Sequence, residues 1–596
     1  MDYSTLKNLK TAEFEDAADG YRAASHMASS AKDALEQRIN VKLRESLSGE
    51  AAEAALTELR TLAKDFHYTQ VECGVVSTAL NALAADLQTA KKKLDAAVAD
   101  AEGEKFTVEK DGSVTYPAAG DEYRGKTPPG GTANGVTDET AKALNRQAAN
   151  FDPNPHFARA QAYADRITAA LEEATTADEK WAPKLRSLKA DDDLTVSAAD
   201  WVDAKKDTGG VSDAAEHYLD SIKEPPKHGA PQDNAEWWKH LSADERDAYI
   251  SLHPASIGAM NGLPADARDE ANRTVLAETR GQYEVRLAAL TKAEPPEFES
   301  VGARGDMKYS QKWLDWHHEK ERLEGKLKGM RAIQDRFDRT GQDGLPEAYL
   351  LGFDPDGEGD GRIILANGNP DTADHTAIYV PGTNTKIETI GENADHSDLG
   401  RTERLWKQSH QITPGEEIST ITWLDYDAPN NLAQATVDEY AHRGALGLHQ
   451  FLEGNRTAHQ YSTGDAGHTT AIGHSYGSTL IGDAAKTAMQ NQTTIPAGDV
   501  LVAGSPGMQA ARATDLGIDP KHMWAMGGGL DDIAVRYGGS AVGLGGNGII
   551  PTDRKFGGNI LESDAGDHSA FWDKDSISLQ NQAAVVTGRY ERTTHE

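Results

Sequence analysis

Thr469-Thr470-Ala471-Ile472-Gly473-His474-Ser475-Tyr476-Gly477-Ser478 decides how this chain is read. Thr469–Ile472 is a short run ending at glycine, the pattern of a buried strand. Beyond it, Leu480, Ile481, Ala484 and Ala488 recur at helical spacing. A strand that turns through G-x-S-x-G into a helix is a nucleophile elbow. Its glycines are required because the strained turn brings neighbouring backbone too close for side chains. Ser475 is therefore the candidate nucleophile.

A serine hydroxyl is inert near neutral pH unless a base takes its proton and an acid orients that base. On such a scaffold the chain order is Ser, then Asp or Glu, then His. Downstream of Ser475, the strand His522–Met526 is followed by Gly527-Gly528-Gly529-Leu530-Asp531-Asp532-Ile533. Asp531 is the favoured acid, because D-x-I spacing returns Ile533 to the core; Asp532 is the alternative. Asp567 adjoins the base too closely in sequence to reach round its ring. His568 follows the last expected strand and is the candidate base, whereas His595 is penultimate and expected to fray. The strand Thr376–Val380 leads into Pro381-Gly382-Thr383, so the backbone N–H groups of Thr383 and Tyr476 are the expected oxyanion donors.

Working outward, apolar runs alternate with helical patterns from residue 346 onward. The runs are Ala348–Phe353, Arg362–Ala366, Thr376–Val380, Thr420–Leu424, Thr469–Ile472, Asp499–Ala503, His522–Met526 and Asn559–Leu561. Leu432–Leu452 and Ser478–Met489 read as helices between them. That alternation predicts an α/β domain over 346–596 with a mostly parallel sheet covered on both faces. The preceding half reads as all-α. Residues 1–105 form a helical hairpin breaking at Ser46–Glu50, with Ala24, Met27, Ala28, Ala31, Leu35 and Ile39 as the apolar stripe of its first helix, and 106–135 a small β-hairpin and linker. Residues 136–225 are helical, and 226–345 are a helical lead-in with Trp237, Trp238, Leu241 and Tyr249 on one face and a cap at Ser242.

Composition limits the partners. The 61 basic against 95 acidic residues leave a net charge of −34, which argues against nucleic acid and anionic lipid surfaces. The single cysteine, Cys73, excludes an intrachain disulfide or a multi-cysteine metal site and reads as a buried thiol. No apolar run is long enough to span a membrane, and the N-terminal residues lack an ordinary signal peptide. The default expectation is cytoplasmic, with export independent of a signal peptide left open.

Other signals point elsewhere. Asp354–Asp360 is calcium-loop-like, but the twelfth position is Leu365, so a hairpin turn is expected. His317-His318-Glu319 lacks the second histidine of a zinc helix, and Gly538–Gly548 lacks the Lys-Ser/Thr of a phosphate loop and reads as a mobile loop near the site. Neither a metal nor an organic cofactor is expected.

With these residues in place, 346–596 resembles the α/β-hydrolase fold, and more narrowly a bacterial family of hydrolase-like domains formerly of unknown function. The matching pieces are Val380–Thr383, Thr422–Pro429, Gly473–Ser478, Gly504–Gly507 and His568-Ser569. The resemblance implies a serine-hydrolase site and, through the family's Asp-Pro-Ile, supports Asp531 as the acid. The N-terminal hairpin is more distantly similar to secreted hairpins with a Trp-x-Gly turn, Leu47-Ser48-Gly49 standing in that place. The expected function is hydrolysis of a small-molecule ester through an acyl-enzyme. The alternative is a non-catalytic interaction or secreted effector protein. Under either reading the N-terminal helices are expected to dimerise or bind a helical partner.

Overall fold

The computed structural model describes residues 1–596 except 123–124, 190–194, 227–228, 302–305, 358 and 393–395; the side chains of 301, 306 and 531 also lie outside it. The described chain divides into two compact units. One comprises Met1–Ser29, Tyr68–Leu194 and Ala204–Glu224; the other comprises Ser30–His67, Thr195–Asp203 and Pro225–Glu596.

The first unit is built on long helices with alanine interiors. Helix Phe157–Ser187 buries Ala160, Ala164, Ile167, Ala174 and Trp181, and the Tyr68–Gly103 part of helix Glu50–Gly103 buries Ala79, Ala90, Leu94, Ala97 and Ala101. Recurrence at three and four residues keeps these on one stripe, and their small size lets helices pack closely. Asp86 accepts from Trp181 Nε1 at 2.8 Å and Lys180 Nζ at 2.5 Å. The expected hairpin, Thr107–Val108 with Val114–Tyr116, gains a third strand, Gly131–Ala133, inside the expected linker. A Cβ on Gly130 would lie 2.3 Å from the Tyr116 carbonyl oxygen, which explains the glycine. Cys73 is half-buried rather than fully enclosed.

One expected stripe changes register. Ala28 and Leu35 are buried, but Met27 is 67% and Ile39 46% exposed, while Asn40 is buried. A π-helical segment, Ala34–Ile39, intervenes. Its wider turn rotates the following residues, so Asn40 takes the inward place.

The second unit holds all eight expected strands: β1 (Ala348–Asp354), β2 (Arg362–Asn367), β3 (His375–Val380), β4 (Ile418–Leu424), β5 (His468–His474), β6 (Asp499–Ala503), β7 (Met523–Met526) and β8 (Asn559–Ile560). Their order in the sheet is β8-β7-β6-β5-β3-β4-β2-β1. Strands β3 to β8 pair in parallel, and β1 and β2 are antiparallel additions. Alternate residues feed opposite faces. Ile378, Val380, Ile421, Trp423, Ala471 and Val502 enter one apolar layer, whereas Ala377, Tyr379, Ile472, Leu501 and Ala503 enter the other. Helices α1 (Asp398–Ile412) and α5 (Ile577–Val586) supply Leu405, Leu579 and Val585 to the second layer. Helices α2 (Glu439–Thr463) and α3 (Tyr476–Gln490) supply Phe451, Leu452, Leu480 and Ile481 to the first. Each such side chain, fully buried, contributes about 1.5–3 kcal/mol. The start of α2 differs from expectation: Leu432 sits in the preceding loop, 71% exposed.

The lead-in helices belong to this unit. Ser242 forms a capping box with Glu245, and Trp237, Trp238, Leu241 and Tyr249 are buried as expected. Helix Ala265–Lys292 lies against the edge strand β1 and meets its backbone with polar side chains. Asp269 Oδ1 accepts from Leu350 N–H at 2.6 Å, Asn272 Nδ2 donates to the Leu350 carbonyl at 2.9 Å, and Arg273 Nη2 donates to the Ala348 carbonyl at 3.1 Å. Arg268 Nη2 donates to the Leu351 carbonyl. Edge-strand groups that would otherwise invite another chain are thereby occupied. The lead-in also contains a two-stranded ribbon, Phe298–Val301 with Asp306–Tyr309, absent from the helical expectation.

Candidate active site

Strand β5 ends at His474 and α3 starts at Tyr476, leaving Ser475 alone in the turn at φ 52° and ψ −127°. A non-glycine residue in that region is strained and held only by its surroundings. Here they are specific. The Ser475 N–H donates to the Ala503 carbonyl at 3.0 Å, and its carbonyl accepts from Ser478 Oγ at 2.6 Å. Gly473 and Gly477 are needed for clearance: a Cβ on Gly473 would sit 2.7 Å from Ser478 Cα, and one on Gly477 2.2 Å from the Val380 carbonyl oxygen.

His568 lies in the loop after β8. Its Nδ1 is 2.7 Å from Asp532 Oδ1, and its Nε2 is buried without a protein partner among the described residues. A carboxylate can only accept here, so Nδ1 carries the proton and Nε2 presents its lone pair. Asp532 is fully buried, and its Oδ2 accepts from Gly528 N–H at 2.7 Å and Arg536 Nε at 2.5 Å. Burial pushes the Asp532 carboxyl up, but the hydrogen bonds from His568 and Gly528 and the charge of Arg536 outweigh it and hold the group below its usual value.

The aspartate that meets His568 among the described side chains is Asp532, the alternative acid of the sequence reading. The segment after Gly529 is a helix, α4 (Leu530–Ala541), not a strand extension. Ile533, expected in the core, is 40% exposed and Leu530 83% exposed. The Asp531 side chain lies outside the described residues. The same helix takes in Gly538 and Gly539, expected in a mobile loop; a Cβ on Gly539 would lie 2.2 Å from Pro506 Cβ. His595 is not frayed: it forms a β-bridge with Leu561, and its ring has Trp524 as neighbour rather than Ser475.

The loop after β3 lies on the elbow. A Cβ on Gly382 would be 2.8 Å from Ser475 Cβ and 3.2 Å from Tyr476 N. Tyr426 Oη donates to the Pro381 carbonyl at 2.7 Å, and Asn384 N–H to the Pro429 carbonyl at 2.8 Å, fixing that loop from behind. Among the described residues, the Thr383 and Tyr476 amides donate to no protein acceptor.

Three contributors had no assigned role in the sequence. Arg536 lies one helical turn after Asp532, a spacing readable only once the segment is known to be helical. Gly504, at φ 60°, sits under the pair; a Cβ there would be 2.5 Å from Asp532 Oδ1 and 2.7 Å from His568 Cε1. The third is His474, the variable residue of the elbow. Its Nε2 is 2.8 Å from the His568 carbonyl oxygen and its ring centroid 5.0 Å from that of His568. Among the described residues, no group of three or more His, Cys, Asp or Glu is placed to hold a metal ion. Nor is any described helix long and apolar enough to cross a membrane. A cavity of about 460 Å³, lined by His67, Trp201, Arg273 and Phe337 among others, lies in the same unit but includes none of these residues.

A family model described as alpha/beta hydrolase matches residues 356–537, a span that holds Ser475 and Asp532 and stops before His568. An uncharacterized protein of Mycobacterium tuberculosis is 30% identical over 393 residues, 61% of this chain and 56% of that protein. The chain thus spans little more than half the length of that relative. An uncharacterized protein of Mycobacterium bovis is 29% identical over 231 residues, 37% of this chain and 79% of that protein. Among solved structures, an esterase of Pyrobaculum calidifontis aligns with 45% of this chain and 92% of its own at 10% identity, with a TM-score of 0.26. The family match and the sheet order together identify the C-terminal part of the chain as an α/β-hydrolase domain.

Proposed function

We propose that the chain is a serine hydrolase cleaving a carboxylic ester through an acyl-enzyme. The observation that carries this reading is the 2.7 Å bond between His568 Nδ1 and a buried, ionised Asp532, in a domain whose strained elbow presents Ser475. His568 Nε2 takes the Ser475 Oγ proton as Oγ bonds to the carbonyl carbon of the ester. The developing oxyanion is met by the Thr383 and Tyr476 N–H groups. Collapse breaks the bond to the alcohol oxygen, which leaves with the proton from His568. Water then attacks the acyl-serine by the same route in reverse, and the acid is released. Asp532 fixes the tautomer and stabilises the imidazolium. The outer side of α4 exposes Leu530, Ile533 and Tyr537, which favours an ester with an apolar acyl group over a charged one.

A fluorophosphonate probe tests the reading: wild type should take the label and Ser475→Ala should not. A folded wild type that takes no label would refute it. The second role, binding a helical partner or another copy of the chain, is supported by a first unit made of long helices that contribute nothing to the triad. Light scattering on the full chain checks it, a monomer with no bound partner counting against it.

A further inference from the structure

We propose that His474 is a positioning residue that staples the nucleophile to the base, an inference that rests on the triad reading above. The residue sits immediately before Ser475 in the chain, yet its ring reaches across to the loop that carries His568.

The staple has a determined direction. The His568 carbonyl can only accept, so His474 Nε2 must donate to it across 2.8 Å. On the other side, Arg401 Nη1 lies 3.4 Å from His474 Nδ1. A guanidinium accepts from nothing, so a proton on Nδ1 would face a cation with no partner there. Both partners demand the same neutral tautomer, with its proton on Nε2. Burial, reinforced by the charge of Arg401, keeps the imidazole neutral by lowering its pKa well below the usual value. Arg401 is itself fixed: its Nη1 donates to Asp398 Oδ1 at 2.8 Å and to Tyr379 Oη at 2.7 Å, and its guanidinium lies over the Trp572 ring at 5.1 Å. Tyr379 Oη in turn donates to Asp398 Oδ1 at 2.7 Å.

His568 is consequently held at two points. Asp532 sets its ring through Nδ1, and His474 sets its main chain through the carbonyl. Because His474 is bonded to Ser475 through one peptide link, any shift of the base loop relative to the nucleophile must break this hydrogen bond. The separation of Ser475 Oγ from His568 Nε2 is the quantity the staple regulates. A displacement of about 1 Å there costs on the order of 10²-fold in rate.

Three variants separate the hydrogen bond from mere packing. His474→Gln offers an acceptor and an N–H donor one carbon apart, as the imidazole does. His474→Phe keeps a ring and loses both, and His474→Asn keeps the amide but draws it back by one methylene. The readouts are the rate of fluorophosphonate labelling, the kcat and KM for a p-nitrophenyl ester, and amide hydrogen exchange across residues 564–571. Phe should lower kcat and the labelling rate by about 10–100-fold with KM nearly unchanged, and should speed exchange of the loop. Gln should restore most of both. If Phe does not fold, Asn replaces it, with the same losses expected. Wild-type rates and exchange in Phe would overturn the proposal, as would a Gln variant as impaired as Phe. If wild type takes no label, the hydrolase reading fails, while the exchange comparison still decides the staple.

Discussion

Ser475 and His568 are fixed by different kinds of force. The serine is held by the backbone: a left-handed φ, two glycines with no room for a Cβ, and amide bonds to β6 and α3. The histidine is held by side chains on separate elements, with Asp532 on its ring and His474 on its carbonyl. Backbone constraint is printed in the local sequence as a motif. Side-chain constraint depends on which way a distant residue faces, and no local pattern records it. The two regions therefore differ both in how they can be broken and in how they can be read.

The largest effect is expected where a side chain alone sets the base. Asp532→Asn should lower kcat about 10³–10⁴-fold with little change in KM, whereas Asp531→Asn should stay within about twofold. Equal losses in steady-state assays of the two would erase the distinction drawn between adjacent helix positions. Next comes a backbone test of the same pair. Gly504→Ala places a methyl against Asp532 and His568 and should cost about 10²-fold in kcat by misplacing the base, measured beside thermal melting to separate misplacement from unfolding. A smaller effect is expected on the exposed side of α4. Leu530→Ser should reduce kcat/KM severalfold for long-chain p-nitrophenyl esters and leave short-chain esters unaltered; equal loss on both would remove α4 from substrate contact.

The last prediction concerns stability rather than rate. Asp499, the first residue of β6, is buried; burial raises its carboxyl, but hydrogen bonds from His468, Tyr590, Trp524 and His522 hold it below the usual value. Asp532 is lowered in the same sense. A carboxyl depressed in the folded state gives stability that is complete above the unfolded value, about 3.9, and is lost as pH falls through the lower folded value. Thermal melts taken from pH 5 downward should decline only below about pH 4, and Asp499→Asn should flatten that limb without touching the labelling of Ser475. A limb of unchanged slope would show that the contribution lies elsewhere.

Much of the hydrolase fold was legible. Parallel strands buried on both faces take few charges, so β3 to β6 stand out as short, nearly uncharged runs even with buried Ser419, Thr420, Thr422 and Thr470 among them, and Gly473 and Gly477 follow from clearance alone. What was not legible has common causes. Ile533 was placed in the core on a two-residue period where the chain had already turned helical. Ile39 was misplaced because a π turn leaves no mark in composition. Gly131–Ala133 is too short to show a period, and its pairing is visible only against Tyr116. His474 carries no signal at all, since the elbow motif leaves that position free.

The polar ladder from helix Ala265–Lys292 onto β1 bears on how this domain can be inherited. The family match begins at residue 356, beyond the start of β1, and that strand's backbone partners, Arg268, Asp269, Asn272 and Arg273, lie some 75 to 83 residues upstream of the groups they meet. A recombination that cut the gene between helix and strand would carry Ser475, Asp532 and His568 across together yet deliver a sheet with an open, adhesive edge. The smallest piece that keeps this edge covered thus starts before residue 265, so the hydrolase domain depends on a helix outside the span its family shares.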